Sequence, residues 1–202
     1  MSALLLSATA CTSGGGDEEV DHGGVVHDMS ADEVCRGTLA GGADSLEARS
    51  GETEFGEIDT APSYDPRDYA DVLMENDVIT TNLCVIYTPS TSPRSFASIT
   101  FSWVERVPTP GARPDATYYD ITPYGSASDQ NATMGVPCPV GAAPDDAFLQ
   151  GELAVQTPGS GSDHDDMIAI LNSAAHAVVE ALGCTEESGL TPEPPARWEA
   201  PA

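Results

Sequence analysis

Ser98-Ile99-Thr100-Phe101-Ser102-Trp103 alternates hydroxyl-bearing and large apolar side chains. Period two puts Ile99, Phe101 and Trp103 on one side of an extended chain and Ser98, Thr100 and Ser102 on the other. The segment therefore predicts a strand of an antiparallel sheet with one buried and one wetted face. Such a sheet needs an apolar cover, and residues 163–182 supply one. Met167, Ile168, Leu171, Ala174, Ala175, Val178 and Leu182 recur at helical spacing. Asp163, Asp165 and Asp166 stand where the helix dipole favours negative charge, and Gly183 suits the C-terminal stop. These two stretches predict an α+β domain, an antiparallel sheet of about four to five strands packed against one long C-terminal helix.

The remaining elements fit around that pair. Strands are expected at 80–87, with Leu83, Val85 and Tyr87 on one face, at 95–105, and through Tyr118, Tyr119 and Ile121. A last strand spans 147–156 with Leu149, Leu153 and Val155, and 134–140 reads as extended around Cys138. Residues 126–133 read as loop and 158–162 as a Gly/Ser linker. Nearer the start, Ser30 and Glu33 form a capping-box pattern that opens a short helix through Val34 and Cys35, stopped by Gly37. A second helical piece covers 42–50 and ends at Gly51. Residues 52–59 alternate weakly around Phe55 and Ile58. A helix over 65–76 has Asp65 as its cap, Pro66 in the first turn and a stripe of Tyr69, Val72 and Leu73.

The charge balance narrows the function classes. Thirty-three acidic residues face seven basic ones, all Arg, for a formal net charge of -26. Such a chain repels phosphate backbones and anionic headgroups, which argues against nucleic-acid binding and electrostatic docking on membranes. The acidity reads as colloidal repulsion outside a cell. At 202 residues and 40% hydrophobic content the chain suits one ordinary domain, expected to be monomeric.

Cys35, Cys84, Cys138 and Cys184 are well separated, with no C-x-x-C pair and no His placed to complete a zinc site. They fit two structural disulfides in an oxidising compartment. Four cysteines allow three pairings. Pairing in chain order, Cys35–Cys84 and Cys138–Cys184, ties the first helix to a strand and clamps the end of the last helix, and is the expected one. Cys11 is then the odd cysteine.

Cys11 follows Ser2-Ala3-Leu4-Leu5-Leu6-Ser7-Ala8-Thr9-Ala10 and precedes Thr12-Ser13-Gly14-Gly15-Gly16. This start resembles the lipobox of bacterial lipoproteins, in which small residues precede a cysteine that is acylated and becomes the mature N-terminus. With the absence of Lys and the abundance of Ala, Gly, Asp and Pro, the chain is similar to small secreted actinobacterial lipoproteins. The resemblance implies lipidation at Cys11, a membrane anchor as one partner, and a location on the extracytoplasmic face of the cell membrane. No Lys or Arg precedes Cys11, so the true start is expected to lie upstream and to carry the positive n-region. The apolar run is too short to span a bilayer. The expected organisation is a signal-like segment at 1–10, a flexible acidic tether at 11–28, one domain at 29–184 and a disordered Pro/Glu-rich tail at 185–202.

Catalytic signatures are missing: no G-x-S-x-G elbow, H-E-x-x-H helix, S-x-x-K pair, P-loop or EF-hand spacing occurs. No cofactor is expected. The densest polar cluster is Asp163-His164-Asp165-Asp166, a weak candidate for a divalent ion that reads better as a helix start. His176 is expected mid-helix beside the apolar stripe, as a residue between the buried and exposed faces, and His22 and His27 in the solvated tether. Asn131-Ala132-Thr133 matches a glycosylation sequon that carries little meaning in a bacterium. Trp103, Tyr118 and Tyr119 are candidates to line a ligand groove. The expectation is a non-catalytic, lipid-anchored binding or adaptor domain for an unknown protein or small molecule. The alternatives are an extracytoplasmic hydrolase with an unsignatured Asp/His site and an envelope spacer without ligand.

Overall fold

The computed structural model describes residues 25–58, 64–75, 81–111, 113–140, 147–156 and 163–199. Cys11, His22, the lipobox-like segment, most of the expected tether and the 158–162 linker lie outside them. In chain order the elements are β1 (Val26–Met29), two 3-10 turns (Val34–Gly37, Ala40–Gly42), α1 (Ala43–Ser50), β2 (Phe55–Glu57), α2 (Pro66–Glu75) and β3 (Cys84–Ile86). Then follow β4 (Ala97–Val104), β5 (Thr117–Tyr118), β6 (Tyr124–Ala127), β7 (Asn131–Pro137), β8 (Phe148–Val155), α3 (His164–Leu182) and α4 (Thr185–Ser188). The fold is α+β and antiparallel. A six-stranded sheet runs β3-β4-β8-β7-β6-β5, and β1 and β2 form a separate pair, so the strands outnumber the expected four to five.

The alternation in 98–103 becomes β4 and sets the register of the sheet. Ile99, Phe101 and Trp103 face Leu153, Gly151 and Leu149 of β8, which in turn face Ala132, Met134 and Val136 of β7. This produces one continuous apolar face, and α3 lies across β6, β7 and β8 while α2 covers β4. Ile99, Phe101, Leu149, Leu153, Met134, Ile168, Leu171 and Val178 are all buried. Burying such side chains supplies the main favourable free energy of the fold. Tyr69 anchors α2: its hydroxyl donates to Thr81 O at 3.0 Å and accepts from Phe101 N at 3.0 Å. Burial pushes this phenol up to about 12.

Gly151 sits under the Phe101 ring. A Cβ there would meet Phe101 Cε1 at 2.6 Å and Leu171 Cδ1 at 3.3 Å, and neither can move freely in a packed layer. Gly151→Val is expected to cost about 1–3 kcal/mol through overpacking, read as a lower urea midpoint at unchanged m-value.

Both disulfides follow chain order: Cys35–Cys84 with Cα atoms 5.5 Å apart and Cys138–Cys184 with 5.2 Å. Cys35–Cys84 corrects two local expectations. One half of the Ser30/Glu33 box forms, with Glu33 Oε2 accepting from Ser30 N (3.0 Å) and also from Ser30 Oγ (2.6 Å), while Glu33 N donates to Ser30 O (3.1 Å). However, the chain then turns through a 3-10 segment instead of starting a helix. Cys35 and Arg36 take φ of 57° and 53°, the left-handed region that L-residues avoid, and Cys35 thereby enters the core. On β3 the partner Cys84 must point the same way, so Cys84 and Ile86 face inward. Val85 and Tyr87, expected inside, are only half-buried.

Three further expectations change. Residues 126–133, expected as loop, contain the end of β6, a turn and the start of β7. The strand through Tyr118, Tyr119 and Ile121 is regular only at β5. The two ends of the domain are also longer than expected. Residues 26–28, assigned to the tether, belong to β1 and pair with β2, and His27 among them is half-buried rather than solvated. Residues 185–199, assigned to a disordered tail, hold α4 and then run along β5. Asp120 N donates to Ala196 O and Trp198 N to Tyr118 O, both at 2.9 Å, and Tyr119 faces Arg197. At the opposite edge Gly56 and Tyr87 exchange both backbone bonds at 3.0 Å. Each edge of the six-stranded sheet is thus partly covered by another segment of the chain.

Candidate functional site

The start of α3 gathers polar groups from four parts of the chain. Asp163 is the N-cap, extended at φ -79°, ψ 113°, and its Oδ1 accepts from Asp165 N at 3.0 Å. That is the capping role its position predicts. Its neighbours turn to different partners. Asp165 receives a two-pronged contact from Arg197 of the tail, Nε to Oδ1 at 2.8 Å and Nη2 to Oδ2 at 2.9 Å, plus the Tyr119 hydroxyl at 2.8 Å. Arg197 Nη2 also reaches Asp163 Oδ1 at 3.3 Å. The Arg197 hydrogen bonds hold the Asp165 carboxyl below its usual range, with burial opposing. Burial, then the Asp165 carboxylate, drives the Tyr119 phenol far above its ordinary value.

Asp166 behaves oppositely. Burial raises it, the Asp163 and Asp165 charges add to this, and Ser45 and Arg49 offset part. The two aspartates should therefore give opposite pH signatures. Asp165, depressed in the folded state, contributes stability present above its ordinary 3.8 and lost as pH falls through its folded value. Asp166, raised, is a cost at neutral pH that is relieved as it protonates. Asp166→Asn is expected to raise the urea midpoint at neutral pH. Asp165→Asn is expected to lower it and to flatten its fall below about pH 4.

His164 joins three elements. Its Nδ1 lies 2.8 Å from Thr117 Oγ1 on β5 and its Nε2 lies 3.1 Å from Asp129 Oδ1 in the β6–β7 turn. The imidazole is 19% exposed and the Asp129 carboxylate 71%. Arg49, itself 1% exposed, donates through Nη2 to the Asp129 carbonyl. With the Nε2 proton on the Asp129 side, Nδ1 accepts from the Thr117 hydroxyl. That is a hydroxyl–imidazole–carboxylate order within proton-transfer reach. Of these neighbours in sequence, Asp163 and Asp165 share Arg197, while His164 and Asp166 turn to other partners. Thr117, Asp129, Arg49 and Arg197 carry no local sequence signal.

The other sequence candidates do not converge. Trp103 donates its indole N–H to Leu73 O at 2.9 Å on the α2 side of the sheet, and β4 is separated from β5 by three strands. Trp103, Tyr118 and Tyr119 therefore share no groove. His176 is half-buried on α3, Asn131 is exposed at the start of β7, and the His27 ring nitrogens are enclosed without a hydrogen-bond partner among the described residues. Cys35, Glu57 and Cys84 place potential ligand atoms within 4.8 Å of one another. The sulfurs are joined as a disulfide, and Glu57 Oε1 accepts from Cys35 N at 2.6 Å.

Two concave regions lie elsewhere among the described residues. One, of about 340 Å³, lies between α3, residues 120–122 and residues 188–195. The other, of about 710 Å³, lies between Asp65, Arg67 and Asp71 of the α2 region and Ala177, Glu180 and Ala181 of α3. No helix among the described residues is long and apolar enough to cross a membrane. Comparison with protein-family models, with curated proteins and with solved structures finds no match to this chain.

Proposed function

We propose that this chain is an extracytoplasmic, membrane-anchored lipoprotein whose domain binds a ligand without transforming it. The observation that carries the reading is the cysteine arrangement. Cys35, Cys84, Cys138 and Cys184 are consumed in two buried disulfides, which suits an oxidising compartment. Cys11 is left over, at the end of a small-residue apolar run and before a Gly-rich acidic tract. Two or more acyl chains on one residue give stable anchoring, where a single chain is marginal. The two concave regions favour a binding domain over a spacer. In the producing cell the full-length protein is expected to enter the detergent phase on Triton X-114 separation and Cys11→Ala to enter the aqueous phase. Equal partition of the two would sink the anchoring idea.

The Thr117–His164–Asp129 chain favours a second reading, an extracytoplasmic hydrolase using Thr117 as nucleophile and His164 as base. The exposure of Asp129 weighs against it, since the orienting carboxylate of such a relay works best shielded from water. The binding reading expects no turnover of p-nitrophenyl acetate above that of His164→Ala. Turnover lost in both Thr117→Val and His164→Ala would establish the hydrolase instead.

A further inference from the structure

The C-terminal segment is held on the edge of the sheet by a short series of separable contacts. Leu190 is its last buried residue; of residues 191–199 Pro195 is half-buried and the others are exposed, Trp198 by 40%. Asn172 Nδ2 donates to Thr191 O at 2.9 Å and Glu193 O at 3.1 Å. Ala196 and Trp198 each make one backbone bond to the β5 edge, at Asp120 N and Tyr118 O, and the Trp198 ring meets Tyr118 edge-on. Arg197 pairs with Asp165 and Asp163, and all three side chains are at least half exposed. Such ion pairs contribute little, and a segment that buries so little apolar surface opens well before the domain unfolds.

Opening leaves a defined vacancy. Asp120 N and Tyr118 O become an unpaired strand edge, and Asp165 with the Tyr119 hydroxyl loses its guanidinium. The edge then fits an extended segment that carries Arg directly before an aromatic residue. Arg197 is the only basic residue in 185–202, beside four Glu, so it alone in the tail complements that acidic edge and sets the register. Pro192, Pro194 and Pro195 keep the released tail extended, and residues 190–198 then reach about 30 Å.

We propose that this tail exchanges between copies of the chain. Residues 190–198 of one copy leave their own β5 and add as a strand to β5 of a second copy, with Arg197 on the second copy's Asp165 and Asp163. Strand and edge belong to the same sequence, so every contact of the closed chain is remade across the pair, and mutual exchange closes as a two-fold dimer. In the free chain the tail occupies its own edge, which lowers the affinity between copies by the fraction that is open. The net charge of -26 keeps copies apart otherwise. The inference adds a partner that the ligand-binding reading does not name.

The test mixes two full-length variants, each with Cys11→Ala so that neither lipid nor a spare thiol joins them. Arg197→Ala/Trp198→Ala keeps the edge and disables the tail; Asp165→Lys keeps the tail and repels it from its own edge. Circular dichroism checks that each is folded, and Asp165→Asn serves as tail donor if Asp165→Lys is not. Sedimentation velocity should show each variant alone as monomer and the mixture as a one-to-one complex, at least about tenfold tighter than parent with parent. Asp165→Lys/Arg197→Ala/Trp198→Ala should not pair with the edge variant. A mixture that stays monomeric at about 0.1 mM, pairing undiminished with the triple variant, or parent that self-associates as tightly as the mixture would each overturn the exchange. None of these outcomes involves Cys11, so a failure here is distinct from a failure of the anchoring proposal.

Discussion

Removing the Cys138–Cys184 disulfide is expected to lower the melting temperature by about 8–16 °C, and removing Cys35–Cys84 to lower it by less. The bridges span sequence separations of 49 and 46 residues, for which the chain-entropy model gives about 4 kcal/mol each as an upper figure. A domain of this size shifts its Tm by about 2–4 °C per kcal/mol. The two losses should not be equal. Cys35 is held with Arg36 in left-handed backbone, and freeing it relieves strain of about 1–3 kcal/mol per residue. The Cys35→Ala/Cys84→Ala variant should therefore melt above Cys138→Ala/Cys184→Ala, although its loop is slightly longer. The second bridge ties β7's exit to the residue after α3, where Gly183 ends the helix at φ 77°, so its loss frees the helix that covers the sheet. Full reduction removes about 8 kcal/mol by the same model, which is comparable with the whole stability of an ordinary domain, so the reduced chain should be largely unfolded at 37 °C. Thermal circular dichroism on the two variants and on reduced protein checks all three. A Tm within about 2 °C of the parent for Cys138→Ala/Cys184→Ala would contradict the entropic account.

Phe101→Ala is expected to cost about 3–5 kcal/mol, the upper part of the range for large core truncations. The ring is 1% exposed and packs edge-on to Tyr69 with centroids 6.3 Å apart. Its cross-strand neighbour is Gly151, which has no side chain to move into the space. Leu171 approaches from α3, but its helix is fixed by the rest of the apolar stripe. The void therefore stays, and stability falls with residual cavity volume. Phe101→Leu should recover more than half of the loss in urea denaturation. If Phe101→Ala costs less than about 1.5 kcal/mol, the Phe101–Gly151 packing is not central to the core.

Long periodic segments carried most of the legible fold. The stripe within 163–182 corresponds to α3 at both ends, with Asp163 as cap and Gly183 as stop, because a nineteen-residue helix samples its period many times. The alternation at 98–103 likewise marks β4. The β6–β7 hairpin was illegible because β6 carries only small residues after Tyr124, one of them enforced by packing. A Cβ at Gly125 would meet Ile121 Cδ1 at 2.6 Å, and Gly125, Ser126 and Ala127 lack the bulky pattern by which strands are recognised. The tail hid its order in the same way, since Pro and Glu dominate its composition while its contacts come from Leu190, Arg197, Trp198 and backbone carbonyls. Trp198 meets Tyr118 edge-on with centroids 6.4 Å apart.

The cluster at the start of α3 was half legible. Helix electrostatics account for Asp163 and for the acidic first turn. His164 is another matter. Its partners Thr117 and Asp129 lie 47 and 35 positions away, and only the sheet order brings β5 and the β6–β7 turn to one helix end. Asn172 shows the same limit. It reads as a polar interruption in an apolar stripe, and only the returning tail makes its amide a clasp over a cavity.

The cysteines carry both the location and the fold, and mass spectrometry of the intact and non-reductively digested protein from its own cell envelope tests them most directly. The prediction is a mature chain that begins at Cys11 and carries acyl mass there. In the same molecule, peptides should be linked as Cys35 to Cys84 and Cys138 to Cys184. A chain with unmodified Cys11 and free thiols at the other four positions would contradict both the location and the function proposed.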